Sequence, residues 1–184
     1  PSIEKVVVVP YTEQEPDIGA LPNAVHYRDF GPKNGDPKIV FEQLAFDHPL
    51  YIMFTSGTTG LPKCMVQSAG GILIHHLKEL ILHTNLTRGD TIFYFTTCGW
   101  MMWNWLVSSL AVGCTLVLYD GSPFAPGRDV LWRIAAQERI THFGTSPKYL
   151  GALQKEGGAP GHDYDLGALR TLMSTGSPLA PEQF

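Results

Sequence analysis

Lys5 to Val9 is an apolar run of four valines behind one lysine, and Pro10 closes it. β-branched residues without polar alternation predict a strand covered on both faces, because such a strand keeps no side for water. From Tyr11 to Pro37 the chain is broken by Pro16, Pro22, Pro32 and Pro37 and by Gly19, Gly31 and Gly35, and it reads as a connector. Leu50 to Thr55 and Lys63 to Gln67 read as two strands on either side of a short polar loop. Ala69 to Leu82 carries apolar residues at Ile72, Ile74, Leu77, Leu80 and Ile81, a spacing that predicts an amphipathic helix. Strand-like runs then follow at Thr91 to Thr96, Cys114 to Leu118, Thr141 to Gly144 and Leu169 to Ser174. Helical stretches at Met101 to Val112, Val130 to Glu138 and Pro147 to Lys155 alternate with them. Alternation of this kind predicts an α/β fold, a mainly parallel sheet flanked by helices.

Composition narrows the function classes. The 184 residues, 44% of them hydrophobic, suffice for a domain with a core or for part of a larger one. Charged residues make up 16% and the formal charge is -4, which argues against nucleic acid as the main partner and for small molecules. Cys64, Cys98 and Cys114 are odd in number and form no Cys-x-x-Cys pair, so neither a disulfide framework nor a metal knuckle is indicated, and a reducing cytosol is the expected setting. No run approaches the roughly 18 apolar residues that a membrane span needs. The first residue is not methionine, and the chain stops at Phe184 a few residues after Ser177-Pro178 opens what looks like a helix, so an internal piece of a longer protein is expected.

The densest chemistry lies in Phe54-Thr55-Ser56-Gly57-Thr58-Thr59-Gly60-Leu61-Pro62-Lys63, with four hydroxyls, two glycines and a lysine in ten residues. Glycines let backbone N–H groups approach an anion, hydroxyls add donors, and a lysine adds a point charge, so the loop suits a polyphosphate. It is not a Walker A loop, which has four residues between its glycines and a lysine directly after the second; here two residues separate Gly57 from Gly60, and Leu61-Pro62 precedes Lys63. Taken as composition alone, Ser-Gly-Thr-Thr-Gly is equally an ordinary turn between strands.

The full ten-residue string closely resembles the phosphate-binding loop of the adenylate-forming superfamily, which includes acyl-CoA synthetases, luciferases and peptide-synthetase adenylation domains. Thr96-Thr97-Cys98-Gly99-Trp100 is similar, in order and spacing, to that superfamily's Gly-Trp element, and Ser174-Thr175-Gly176-Ser177-Pro178-Leu179 to the stretch that lies along adenine. The resemblance covers about Phe41 to Phe184. It is closer still to the branch of acyl-CoA synthetases that takes acetoacetate, on Phe41-Glu42-Gln43-Leu44, Lys63-Cys64-Met65-Val66, Gly99-Trp100-Met101-Met102-Trp103-Asn104-Trp105 and Leu118-Tyr119-Asp120-Gly121-Ser122-Pro123.

The resemblance implies that residues 1–184 are part of the large N-terminal domain of such an enzyme, with 50–184 as its phosphate-loop and acyl-pocket part. It places the lid domain, with the adenylation lysine, beyond the chain. The small molecules implied are ATP with Mg²⁺, CoA and acetoacetate, with acetate or another short acid as the alternative acyl substrate and a non-catalytic nucleotide-binding module as the alternative role. Thr55, Ser56, Gly57, Thr58, Thr59, Gly60 and Lys63 would hold the ATP phosphates, and Gly176, Ser177 and Pro178 the adenine. Trp100, Met101, Met102 and Thr175 would shape the acyl and CoA pocket, although an aromatic and methionine cluster read from pattern alone belongs to the core. Relatives often carry Glu where this chain has Ser177 and Gly where it has Cys64, so no carboxylate role passes to the first and no nucleophile is implied at the second. No metal ligand is assigned. His75 and His76 are adjacent on a predicted helix, point to different sides, and read as surface or packing residues.

Overall fold

A computed structural model describes residues 2–31, 38–55 and 60–183. The chain divides into two compact units, Pro1–Gln43 and Leu44–Phe184. In the first, β1 (Val6–Val8) pairs in parallel with β2 (Ala24–His26), Val6 opposite Ala24 and Val8 opposite His26. This corrects the expectation of a strand covered on both faces: β1 is only half-buried, and Val9 is 62% exposed. The reason is that β1 has a single partner of three residues in a two-stranded sheet, too little surface to cover four valines. The proline-rich stretch itself supplies that partner, followed by a 3₁₀ turn at Tyr27–Asp29; residues 32–37 lie outside the described residues.

The second unit opens with an antiparallel hairpin, β3 (Pro49–Thr55) and β4 (Lys63–Ser68), in register from Tyr51 opposite Gln67 to Thr55 opposite Lys63. Helix α1 (Ala69–Leu77) follows directly. Lys78–His83 then widens into a π-helical turn where an unbroken α-helix to Leu82 was expected. Thr84 explains the departure: its N–H reaches back five residues to Glu79 O at 3.0 Å, and its hydroxyl caps Leu80 O, drawing those carbonyls off the i−4 ladder while Leu80 stays fully buried.

Beyond that turn the expected alternation is present. β5 (Thr91–Tyr94), α2 (Met101–Ser108), β6 (Thr115–Val117), α3 (Val130–Gln137), β7 (His142–Thr145), α4 (Pro147–Lys155), the short α5 (Pro160–Asp163) and β8 (Thr171–Ser174) build a four-stranded, all-parallel sheet in the order β6-β5-β7-β8. Gly113, at φ +85°, turns the chain from the 3₁₀ end of α2 into β6, a left-handed position that costs glycine little. Ser146 caps α4, accepting from Tyr149 N at 3.3 Å, and Pro147 takes the first helical position.

Alternation along β5 divides the core. Phe93 points to one face, with Phe143, Trp132 and Leu131, where α3 and α4 cover the sheet. Ile92 and Tyr94 point to the other, with Leu80, Trp105 and Leu106 from the segments around α1 and α2. Trp132 stacks on Phe143 with ring centroids 4.4 Å apart. At the amino ends of the strands Asp90 accepts from Thr87 N and Thr87 Oγ1, both at 2.7 Å, and from Arg170, while the fully buried His142 ring bridges Thr141 Oγ1 and Thr84 O. The carboxyl ends at the opposite edge are free to hold a ligand, the usual place for one in an open parallel sheet.

Candidate active site

On the α1 and α2 face of the sheet, a cavity of about 310 Å³ opens beside the last residues of β5 and β8. Its size lies within the range of roughly 300 to 1,000 Å³ typical of small-molecule sites. Met101 and Met102, from the first turn of α2, and Thr175, the residue after β8, line it together. The sequence could place these three only by resemblance; the parallel sheet joins them, because β5 leads into the start of α2 and β8 lies two strands away. Trp100 is not in the cavity wall. It packs edge-on against Tyr94, with centroids 6.2 Å apart, and comes within 4 Å of the Cβ position at Gly176. Tyr94 does line the cavity, its hydroxyl donating to Thr145 O at 3.1 Å and its ionisation pushed up to about 12 by burial.

Three further polar wall residues were not assigned to the pocket from the sequence: Gln67 at the end of the hairpin, and His76 and Glu79 from α1 and the π turn. His76 is 1% exposed, and its Nδ1 lies 2.8 Å from Ser108 Oγ, tying α1 to α2. The surface-or-packing reading thus holds for both histidines, His76 as a packed residue that also lines the cavity and His75, its side chain 57% exposed, as a surface residue that reaches the cavity rim. A signal was available: Ile72, His76 and Leu80 are spaced four apart, so the apolar stripe of the helix runs through His76. Burial, and then the neighbouring His75, lower the His76 pKa against a weaker opposing pull from Glu79, so the ring is neutral at pH 7. The Glu79 carboxyl is held below its ordinary value by the hydrogen bond from Lys78, 2.8 Å away, and is ionised.

The residues expected to form a phosphate loop divide. Thr55 ends β3 and Lys63 begins β4, directly opposite each other at the mouth of the hairpin, with Lys63 and Gly60 exposed. Ser56, Gly57, Thr58 and Thr59 lie outside the described residues. Gly176 adopts φ +102°, a conformation glycine favours, and Ser177 and Pro178 follow it to line a separate, open depression of about 500 Å³ against α4. Cys64 is exposed opposite Phe54 in the hairpin. Among the described residues no group of three or more His, Cys, Asp or Glu side chains is placed to hold a metal ion. None of the described helices is long and apolar enough to cross a membrane.

The family model for AMP-binding enzymes matches residues 3–184. Acetoacetyl-CoA synthetase of Danio rerio is 55% identical over 190 residues, covering all of this chain and 28% of that protein. Acetoacetyl-coenzyme A synthetase of Rhizobium meliloti (strain 1021) is 54% identical over 179 residues, covering 97% and 28%. The solved structure of acetoacetyl-CoA synthetase from Streptomyces lividans superposes with a TM-score of 0.84 at 46% identity, over 98% of this chain and 27% of that one. The chain thus spans about 28% of the length of the curated relatives it matches.

Proposed function

Because the chain belongs to the AMP-binding enzyme family, we propose that the full-length protein carrying it ligates acetoacetate to CoA with ATP, through an acyl-adenylate. The cavity at the carboxyl ends of β5 and β8, walled by Met101, Met102 and Thr175 beside the Lys63 hairpin, is the observation that carries this reading. An acetoacetate carboxylate oxygen attacks the α-phosphorus of ATP, the bond to the bridging oxygen breaks, and pyrophosphate leaves. The CoA thiol, losing its proton, then attacks the acyl carbon, and AMP leaves with the C–O electron pair to give acetoacetyl-CoA.

Each residue's part follows from its position and chemistry. Lys63 and Thr55 face each other where the hairpin opens, so an ammonium and a hydroxyl stand at either end of the segment that would hold the phosphates, to which Ser56, Gly57, Thr58, Thr59 and Gly60 would add donors. Charge spreading onto the departing pyrophosphate is what these donors stabilise. Gly176, Ser177 and Pro178 would carry adenine by backbone contact, since Ser177 offers no carboxylate. Met101 and Met102 shape the acyl cavity with flexible, polarisable side chains, Thr175 adds a hydroxyl, and Trp100 braces Tyr94 from behind. Mg²⁺ would arrive on the ATP phosphates and add positive charge there.

Residues 50–184 would thus form the phosphate-loop and acyl-pocket part of the enzyme. The product would be a β-ketoacyl thioester, a role suited to ketone-body and lipid metabolism, and the cytosol suits the three free cysteines. Full-length protein given ATP, CoA and acetoacetate should release AMP and consume CoA thiol in equal amounts. Formation of ADP instead of AMP, or no loss of thiol, contradicts the proposal.

A further inference from the structure

A buried histidine in the wall of an acyl cavity must be explained by more than packing. His76 is held at Nδ1 by Ser108 Oγ, and its other ring nitrogen, Nε2, has no hydrogen-bond partner among the described residues. Ser108 Oγ also lies 3.0 Å from Asn104 O, one helical turn back, a carbonyl that the amide ladder of α2 already engages. The Ser108 proton therefore has two places to go. Donated to Asn104 O, it leaves His76 Nδ1 protonated and Nε2 a bare acceptor; donated to His76 Nδ1, it leaves Nε2–H a free donor. Moving from the first state to the second deprives Asn104 O of a second bond it does not need.

The other polar groups of the cavity are less suited to meet a carbonyl oxygen. The Tyr94 hydroxyl is engaged by Thr145 O, and the Ser174 hydroxyl, buried with no hydrogen-bond partner among the described residues, lies at the end of β8 next to Thr175 rather than on the α1 side. Glu79, ionised, donates nothing, and its negative charge on the α1 side of the cavity turns a substrate carboxylate away from that wall and towards Thr175. Gln67 is half-buried with no hydrogen bond among the described residues to orient its amide. A short acid lying with its carboxylate by Thr175 thus presents its far end to α1.

We propose that His76 reads the ketone of the acid: Nε2–H donates a hydrogen bond to the oxygen on the third carbon, and Ser108 sets the tautomer that makes this possible. His76 is then the specificity-determining residue that separates a 3-oxo acid from a saturated acid of the same length, and Ser108 its positioning residue. This inference rests on the acid-activating reading above. It differs from a packing role because it predicts discrimination between two acids rather than a general loss.

The test compares kcat/KM of the full-length protein for acetoacetate and for butyrate, which have equal chain length and differ at the third carbon. In His76→Phe, which keeps a ring but no donor, the acetoacetate-to-butyrate ratio should fall about tenfold, the effect of one lost hydrogen bond to substrate. His76→Gln, whose amide reaches nearly as far as Nε2, should recover part of the ratio, and Ser108→Ala should lower it by less than His76→Phe does. An unchanged ratio in His76→Phe, or an equal loss for both acids in His76→Phe and His76→Gln alike, overturns the inference and leaves the ligase reading intact. Wild-type protein that activates no acid overturns that reading and this inference with it.

Discussion

Gly144 offers the sharpest test of how the sheet supports the cavity. It lies in the middle of β7, opposite Tyr94 on β5 and Met173 on β8, and a Cβ there would fall 2.6 Å from Tyr94 Cγ and closer still to two other ring carbons. In Gly144→Ala the ring has to move. Tyr94 is almost fully buried, its hydroxyl donates to Thr145 O, and Trp100 and Trp105 meet it edge-on with centroids 6.2 and 6.1 Å away. Forcing a methyl into packed core costs about 1 to 3 kcal/mol, and a weakened hydroxyl bond adds about 1 kcal/mol. Replacing glycine gives back about 0.4 to 1 kcal/mol through the unfolded chain. A net loss of about 1 to 3.5 kcal/mol follows. Urea unfolding followed by tryptophan fluorescence measures it, since Trp100 and Trp105 report on this ring. The decisive comparison is the same substitution in a Tyr94→Leu background, where the ring atoms that clash are gone and the cost should shrink by at least about 1 kcal/mol. Equal costs in the two backgrounds, within about 0.5 kcal/mol, would refute the reasoning.

Three other outcomes follow from the same structure. Burial pushes the Asp90 carboxyl up, but the bonds from Thr87, the Thr141 hydroxyl and the Arg170 charge outweigh it and hold the pKa below its ordinary value. The stability Asp90 contributes is therefore full above the unfolded-state value of about 3.9 and is lost as pH falls below it, so stability against pH should be flatter below about pH 4 in Asp90→Asn than in wild type. Met102→Ala enlarges the cavity and should shift acid preference, read as kcat/KM across acetate, butyrate and acetoacetate; an unchanged order removes Met102 from the acyl site. Lys63→Ala removes the ammonium at the mouth of the hairpin and should lower kcat/KM for ATP by about tenfold or more, while leaving the unfolding free energy within about 0.5 kcal/mol of wild type because the side chain is exposed.

Much of this architecture was legible from the residue pattern, and the exceptions have physical causes. The central strand β5 announces itself because, covered on both faces, it is a short apolar run, Thr91-Ile92-Phe93-Tyr94. The same rule misled at Val6–Val8, where an equally apolar run has one three-residue partner and stays half-buried. That partner, Ala24–His26, was hidden in a proline-rich stretch whose composition gives no strand signal. The π turn at Lys78–His83 depends on where the Thr84 hydroxyl finds an acceptor, which helical periodicity does not encode. Within the site, Met101, Met102 and Thr175 were reached by resemblance and meet in one cavity, whereas His76 was read as surface or packing because it and the adjacent His75 point to different sides of the helix and suit no shared ion. Its position between Ile72 and Leu80 on the buried stripe was the overlooked signal.

The central claim, that this fold serves to activate an acid with ATP, is tested most directly by exchange of radiolabelled pyrophosphate into ATP. The full-length protein would be assayed with acetoacetate, acetate or butyrate and with CoA left out, so that only the adenylation half-reaction is read. Exchange that depends on added acid and is strongest with acetoacetate is the predicted result; no exchange above background with any of the three would contradict the account.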